Sequence, residues 1–453
     1  MKESLRKAVL KKIKPSKRES EKVSSFASRI AAIAEKVSGL PAVVCGSLGK
    51  GTWLSGNHDI DVFIMFPKET AREDLEKKGL DAGARVCREV KGRALVRYAE
   101  HPYTQCMSGG FKADIVPCYL IHPGEKVISA VDRSPLHMEF VNENLKEGMK
   151  DEVLLLKQFC KAAGIYGSDA KTLGFSGYVC ELLVLKYGSF MGVMKAAGGW
   201  HLPYTVDILP GKPSHHREIF VVVDPTDIGR NAAAVVSASS VMKFISRARR
   251  FLGKPSAACF IEDAPEPLSK PQINALKSRG THFICIMMDK PDAIEDIIYQ
   301  QSRRAVSRLH SLLKGGEFMP IRSCEFVGRK LVFLFEVENP KLPDVKKMVG
   351  PPLFARKHVE EFVGKYRKAE FGIYVEGINV IADRKRDYTT PSAMLKSIIS
   401  MKRAELSAVG IPSTLVGPLS SARIFEGPAF YPLLNDREFS GFVRRLYFER
   451  IID

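Results

Sequence analysis

Asp59 and Asp61 stand one residue apart at the head of the apolar run Val62-Phe63-Ile64-Met65-Phe66. On a β-strand successive side chains alternate between faces, so the two carboxylates point the same way and make a site for a divalent cation. A third carboxylate, Asp114, interrupts the apolar run Phe111-Lys112-Ala113-Asp114-Ile115-Val116-Pro117-Cys118-Tyr119. Left unpaired in a core it would take up a proton or destabilise the fold, so it requires a metal, a cation or an exposed strand end. Three carboxylates on neighbouring strands can hold two Mg2+ ions about 3.5–4 Å apart, the arrangement that serves in-line displacement at phosphorus.

Ahead of the aspartates, Val43-Val44-Cys45 runs into Gly46-Ser47, and Lys50-Gly51-Thr52 follows. Glycine at such a turn lets the backbone approach a ligand. The amides of Gly46 and Ser47, with the Ser47 hydroxyl, suit phosphate oxygens. Taken singly, Gly-Ser is an ordinary turn and Asp-x-Asp a solvated strand end. In this order, with Asp114 downstream, the set fits attack of a hydroxyl on a triphosphate with pyrophosphate leaving.

The elements that must carry these residues follow from periodicity. Val23, Phe26, Ile30, Ile33 and Val37 recur at helical spacing after a basic start. Residues 40–45 form the first strand, 73–90 a helix, and 93–99 and 111–119 two further strands. From Asp151 the pattern turns helical, over 152–163, 174–190 and 239–252, with a short strand at 220–223 and a loop over 224–231. A boundary falls at Gly253-Lys254-Pro255. Beyond it, 282–288, 293–313, 319–326, 330–337, 359–363 and 371–382 read as β-α-β-β-α-β, the ferredoxin-like split arrangement that often serves as an RNA-binding scaffold. Residues from 390 onward read as helical, at 392–406 and 437–451.

Composition sets the outer limits. Sixty-nine Lys and Arg against 51 Asp and Glu give a formal charge of +18 and a pI near 9.4. Such a balance favours a polyanionic partner, although excess charge also serves solubility. The nine cysteines are scattered with no Cys-x-x-Cys pair, which argues against both a disulfide framework and zinc. No apolar stretch reaches membrane-spanning length and the Lys-rich N-terminus lacks a signal-peptide core, so the expected location is the cytoplasm.

Gly46-Ser47, then Asp59-Ile60-Asp61, then Asp114 resemble the DNA polymerase β nucleotidyltransferase superfamily. Tyr98 to Tyr103, Ser129 to His137, Gly164 to Gly167, Gly174 to Tyr178 and Val223-Asp224-Pro225 narrow the resemblance to the archaeal class I CCA-adding enzymes, the tRNA nucleotidyltransferases. Weaker echoes at Phe318-Met319-Pro320 and Thr389-Thr390-Pro391 extend it over nearly the whole chain. The resemblance implies catalytic, metal-binding roles for Asp59, Asp61 and Asp114. It implies nucleotide contacts at Gly46, Ser47, Lys50, His137, Lys157 and Tyr166, and a base-selecting role for Arg230. Where several relatives have arginine this chain has Lys50, which keeps the charge and loses the bidentate fork.

The resulting expectation is an α+β multidomain protein. It has a polymerase β-like nucleotidyltransferase head over 1–150 and a helical central domain over 151–255 that completes the nucleotide pocket. A ferredoxin-like RNA-binding domain follows over 256–390 and a helical tail over 391–453. The implied activity is template-independent addition of CCA to the 3′ end of tRNA from CTP and ATP, with Mg2+ as cofactor and Mn2+ as an alternative. The partner is tRNA, no membrane is involved, and the sequence is compatible with a homodimer. A poly(A) polymerase-like RNA nucleotidyltransferase is the alternative of the same chemistry, set against by the reach of the resemblance. A catalytically silent RNA-binding protein is set against by the presence of all three aspartates.

Overall fold

The computed structural model describes residues 1–98, 100–209, 216–262, 266–368 and 370–449. The chain divides into two compact units, Met1–Asp263 and Ala264–Glu449.

The first unit begins with helices α1 (Glu3–Ile13) and α2 (Lys17–Ser38). Ser16 caps α2 by accepting from the Glu19 amide at 3.2 Å, Val23, Ala27, Ile30 and Ala34 are its buried stripe, and Gly39 ends it at φ 70°. There follow β1 (Ala42–Val44), the single turn α3 (Gly46–Lys50), β2 (Asp59–Phe66), α4 (Arg72–Glu89), β3 (Arg93–Tyr98), β4 (Pro102–Ser108) and β5 (Phe111–Tyr119). Their sheet has the order β1-β2-β5-β4-β3. Only β2 and β5 run parallel, in a register that sets Asp59 opposite Lys112 and Asp61 opposite Asp114. Strand alternation then sorts the two faces. Ile60, Val62, Ile64, Ala113 and Ile115 pack under α2 and α4, whereas Asp59, Asp61 and Asp114 share the other face with Phe63 and Val116.

The same unit continues through α5 (Arg133–Asn144), α6 (Glu147–Ala162), α7 (Gly177–Tyr187), α8 (Phe190–Gly198), β6 (Tyr204–Val206), β7 (Phe220–Asp224), β8 (Asp227–Asn231) and α9 (Ala238–Gly253). Helices α1 and α6–α9 share one core that includes Leu10, Leu156, Phe159, Leu183, Phe190, Trp200 and Phe244. The helix expected over 174–190 is two helices: Gly188 takes φ 78° at the end of α7, and Ser189 caps α8. The stretch 224–231, expected as a loop, is the turn and second strand of a hairpin.

The second unit comprises α10 (Lys270–Lys277), β9 (His282–Asp289), α11 (Glu295–Gly315), β10 (Pro320–Val327), β11 (Lys330–Val337), β12 (Val345–Pro352), α12 (Arg356–Tyr366), β13 (Ile373–Glu376), β14 (Asn379–Lys385), α13 (Pro391–Ile399), α14 (Arg403–Ala408), α15 (Ser413–Ser420), β15 (Arg423–Glu426) and α16 (Arg437–Phe448). Its main sheet has the order β10-β11-β9-β15, all antiparallel, which is the ferredoxin-like order. The fourth strand is Arg423–Glu426, not 371–382. The latter stretch folds at Gly377, φ 58°, into the β13–β14 hairpin and pairs with β12 in a separate sheet. Residues expected as a helical tail therefore complete the sheet, and 450–451, expected in the last helix, lie outside the described residues. Ile284, Ile286, Phe333 and Phe335 pack against α11 and α13–α15 on one face of the main sheet. Phe283, Cys285, Val332 and Leu334 pack against Phe430, Phe439 and Val443 on the other. With both faces covered, this sheet does not offer the open stacking platform that RNA-binding ferredoxin-like domains use.

All nine cysteines are free thiols, and among the described residues no helix is long and apolar enough to cross a membrane. The fit of α4 to the five-stranded sheet depends on its small residues. A Cβ on Gly79 would stand 2.6 Å from the Pro117 ring. Gly79→Ala is therefore expected to destabilise the protein by about 1–3 kcal/mol through overpacking, read as a lower urea midpoint. An unchanged midpoint would show that α4 can slide on the sheet freely.

Candidate active site

The first cluster is the acidic face of β2 and β5. Asp61 and Asp114 are register partners on adjacent parallel strands. Burial, then the charges of Asp114 and Asp59, push the Asp61 carboxyl up to about 6, and burial also raises Asp114. Gln105 on β4 donates to Asp114 Oδ1 at 2.9 Å, and Lys112 Nζ lies 2.9 Å from Asp59 Oδ1. Gly46, at φ 66°, abuts this face: a Cβ there would collide with Asp61 Oδ2. The Gly-Ser turn and the aspartates are thus one structure, with Ser47 half-buried on α3 beside it. As the side chains stand, no three acidic, histidine or cysteine groups among the described residues converge as a ready metal-ligand set.

The second cluster is ionic and buried. Lys157 on α6 is fully buried, and its ammonium donates to Glu181 Oε1 at 2.9 Å, the Thr52 carbonyl at 2.9 Å and Thr52 Oγ1 at 3.0 Å. Lys50, at the end of α3, donates to Glu181 Oε2 at 2.7 Å, and the Thr52 hydroxyl donates to Glu181 Oε1 at 2.6 Å. Burial would raise the Glu181 carboxyl, but the two ammonium groups bring it down to about 2. Gly177 opens α7 beside these groups, and a Cβ there would meet Lys157 Nζ at 3.2 Å and Tyr166 Oη at 3.3 Å.

The third cluster surrounds Asp224, which is fully buried at the end of β7. Its Oδ1 accepts from the Thr226 amide at 3.0 Å, the Thr226 hydroxyl at 2.8 Å and the Tyr178 hydroxyl at 3.0 Å. Its Oδ2 accepts from Arg230 Nη1 at 2.8 Å and lies 2.9 Å from His137 Nε2. Against burial, these bonds hold the carboxyl well below the usual range. The His137 ring stacks on Tyr178 with centroids 3.8 Å apart, and burial lowers its imidazole despite the pull of Asp224. Lys50 Nζ stands 5.1 Å from the Tyr178 centroid, linking this cluster to the second. His137, Tyr178, Arg230 and Ser176 line a cavity of about 400 Å³.

The sequence-derived residues thus gather in three neighbouring groups within one unit. Asp59, Asp61 and Asp114 share a sheet face that Gly46 abuts; Lys50, Lys157 and Tyr166 surround Glu181 and Gly177; His137 and Arg230 meet at Asp224. Lys157 is the one whose placement departs most from an open phosphate contact, because all its donors are engaged inside the protein. Glu181 and the central role of Asp224 were not legible as site features from spacing alone. A signal for Glu181 did exist, since it is the charged residue within the apolar run Val179-Cys180-Glu181-Leu182-Leu183-Val184, and a carboxylate there needs a cation.

Three family patterns match the chain. Residues 30–137 match a nucleotidyltransferase domain, residues 151–261 the second domain of tRNA nucleotidyltransferase, and residues 279–408 the C-terminal domain of CCA-adding enzyme. The CCA-adding enzyme of Methanosarcina mazei is 40% identical over 404 residues, covering 87% of this chain and 88% of that protein. That of Halobacterium salinarum is 34% identical over 422 residues, covering 91% of each. That of Methanocaldococcus jannaschii is 35% identical over 427 residues, covering 90% of this chain and 93% of that protein.

The buried cluster can be tested without a substrate. Glu181→Gln leaves two interior ammonium groups without a counter-charge and should cost about 3–5 kcal/mol at neutral pH. A carboxyl whose folded value, about 2, lies below its ordinary 4.5 contributes stability that is present above pH 4.5 and lost as the pH falls toward 2. The stability gap between wild type and variant, measured by urea unfolding at stepped pH, should therefore narrow below pH 4.5. A gap that stays constant to pH 3 would refute this account of the cluster.

Proposed function

The chain belongs to the CCA-adding enzyme family and is a template-independent tRNA nucleotidyltransferase; we propose that its reaction runs across the three clusters of the first unit, with the acidic face as the reacting end. The observation that carries this reading is the parallel register that places Asp61 against Asp114 beside the Gly46-Ser47 turn.

Asp59, Asp61 and Asp114 offer oxygen donors alone on one sheet face, not yet turned onto a common point, and burial, then their acidic neighbours, disfavours ionisation of Asp61 and Asp114. Such a set suits a hard divalent cation, Mg2+ first and Mn2+ second. When bound there, the ions would supply activation of the RNA 3′-hydroxyl and charge stabilisation of the triphosphate and departing pyrophosphate. Gly46 keeps the turn close to Asp61, and the Ser47 hydroxyl that follows it serves a phosphate oxygen. Lys50 and Lys157 bring two positive charges to a single carboxylate, and this surplus favours a triphosphate; Lys157, its donors engaged on Thr52 and Glu181, acts through its charge, and Tyr166 and His137 supply contacts.

Arg230 then reads the base. One of its nitrogens is anchored on Asp224, and Arg230 lines a cavity together with His137 and Tyr178. Cytosine and adenine both present a ring-nitrogen acceptor that the fork can bond, and the exocyclic amine beside it needs an acceptor from elsewhere, so one pocket serves both. The tRNA 3′ end shapes the pocket between additions, so two CTP and then one ATP are used. The +18 charge supports binding of the RNA backbone, and the place of work is the cytoplasm.

Incubation with Mg2+ and tRNA ending at the discriminator base, with CTP, ATP or both, should yield CC with CTP alone and CCA with both, read by sequencing the 3′ ends. Long A tails would instead support a poly(A) polymerase, and no extension a silent RNA-binding protein. Asp61→Ala and Asp114→Ala should reduce incorporation to background while tRNA binding, followed by filter retention, is preserved. Retained incorporation in either variant would disprove the assignment of the acidic face.

A further inference from the structure

A buried carboxylate that only capped its own turn would need the two Thr226 donors. Asp224 also engages Tyr178 from α7, Arg230 from β8 and His137 from α5. All three of those side chains line the same cavity of about 400 Å³, while Asp224 itself has no exposed surface with which to touch a ligand. We propose that Asp224 is a positioning residue for base selection: it fixes the Arg230 fork, turns His137 Nε2 inward and holds the Tyr178 ring stacked on it, so that the cavity wall is set before a nucleotide enters.

The physics favours such a role. An arginine side chain has about 2 kcal/mol of rotamer entropy, and a fork that samples several geometries distinguishes base edges poorly. Anchoring Nη1 on a carboxylate withdrawn from water restricts the directions open to the remaining N–H groups, and the burial of Asp224 limits screening of the pair by salt. Discrimination by hydrogen bonding is large only where the site's donors are held in place, because the wrong edge then leaves them unpaired. The inference rests on the reading of Arg230 as the base-selecting group.

Asp224→Asn tests it, since the amide is nearly isosteric and keeps one acceptor oxygen for Tyr178 and Thr226. The readout is kcat/KM for CTP relative to UTP in single additions to tRNA ending at the discriminator base, with tRNA affinity measured in parallel. The expected result is a fall of about tenfold or more in the CTP-to-UTP ratio with tRNA affinity unchanged; an unchanged ratio in the folded variant overturns the proposal. Should Asp224→Asn fail to fold, Tyr178→Phe removes one donor to Asp224 and keeps the ring. A fall of roughly threefold in the ratio then supports the proposal and an unchanged ratio overturns it. Arg230→Ala separates the two levels. If it lowers the ratio while Asp224→Asn does not, the positioning role fails and the reading of Arg230 stands; if neither lowers it, base selection lies elsewhere and both fail.

Discussion

A carboxylate removed from water has to be answered by protons, donors or cations, and the first unit meets that requirement in three different ways. Glu181 is answered by two lysines and a threonine hydroxyl. Asp224 is answered by five hydrogen bonds from four residues. Asp61 has no such set, and its carboxyl is accordingly pushed up to about 6 by burial and by its acidic neighbours. The first two solutions are closed and give rigidity. The third is left open, and an unanswered carboxyl with a raised value on a well-supported sheet is what marks this face out as a candidate site.

The support beneath that open site is ordinary packing. Ile60, Val62 and Ile64 alternate with the aspartates and anchor β2 under α2 and α4, so the positions of Asp59 and Asp61 are set by the hydrophobic face behind them. Because a strand has a period of two, a slip of one residue would bury the carboxylates and expose the isoleucines. The core and the reactive face therefore fix one another.

Much of this was legible in the sequence where a local rule sufficed. Alternation placed Asp59 and Asp61 on one face, and an aspartate in an apolar strand marked Asp114. What could not be read was pairing between distant segments: the register of β2 with β5, the meeting of Lys50 and Lys157 at Glu181, 131 and 24 residues away in sequence, and the gathering around Asp224. The hairpin over 224–231 was hidden because its second strand is short and polar. The fourth strand of the second unit was hidden because Arg423–Glu426 spans four residues, too few for a periodicity. The stretch 371–382 is rich in β-branched and aromatic residues and reads as one strand, although Glu376-Gly377 interrupts it, and the left-handed Gly377 reveals the turn inside it.

Tyr178 and Glu181 lie three positions apart on α7, on the same face of the helix. Tyr178 belongs to the Asp224 cluster and Glu181 to the lysine cluster, so the two are separated along the axis by a rise of about 4.5 Å. That interval is a property of helix pitch and does not depend on any loop. α7 is in effect a gauge block between the charged cluster and the aromatic one: loops around it can shift, and residues at one end can change, without altering the distance between the two ends.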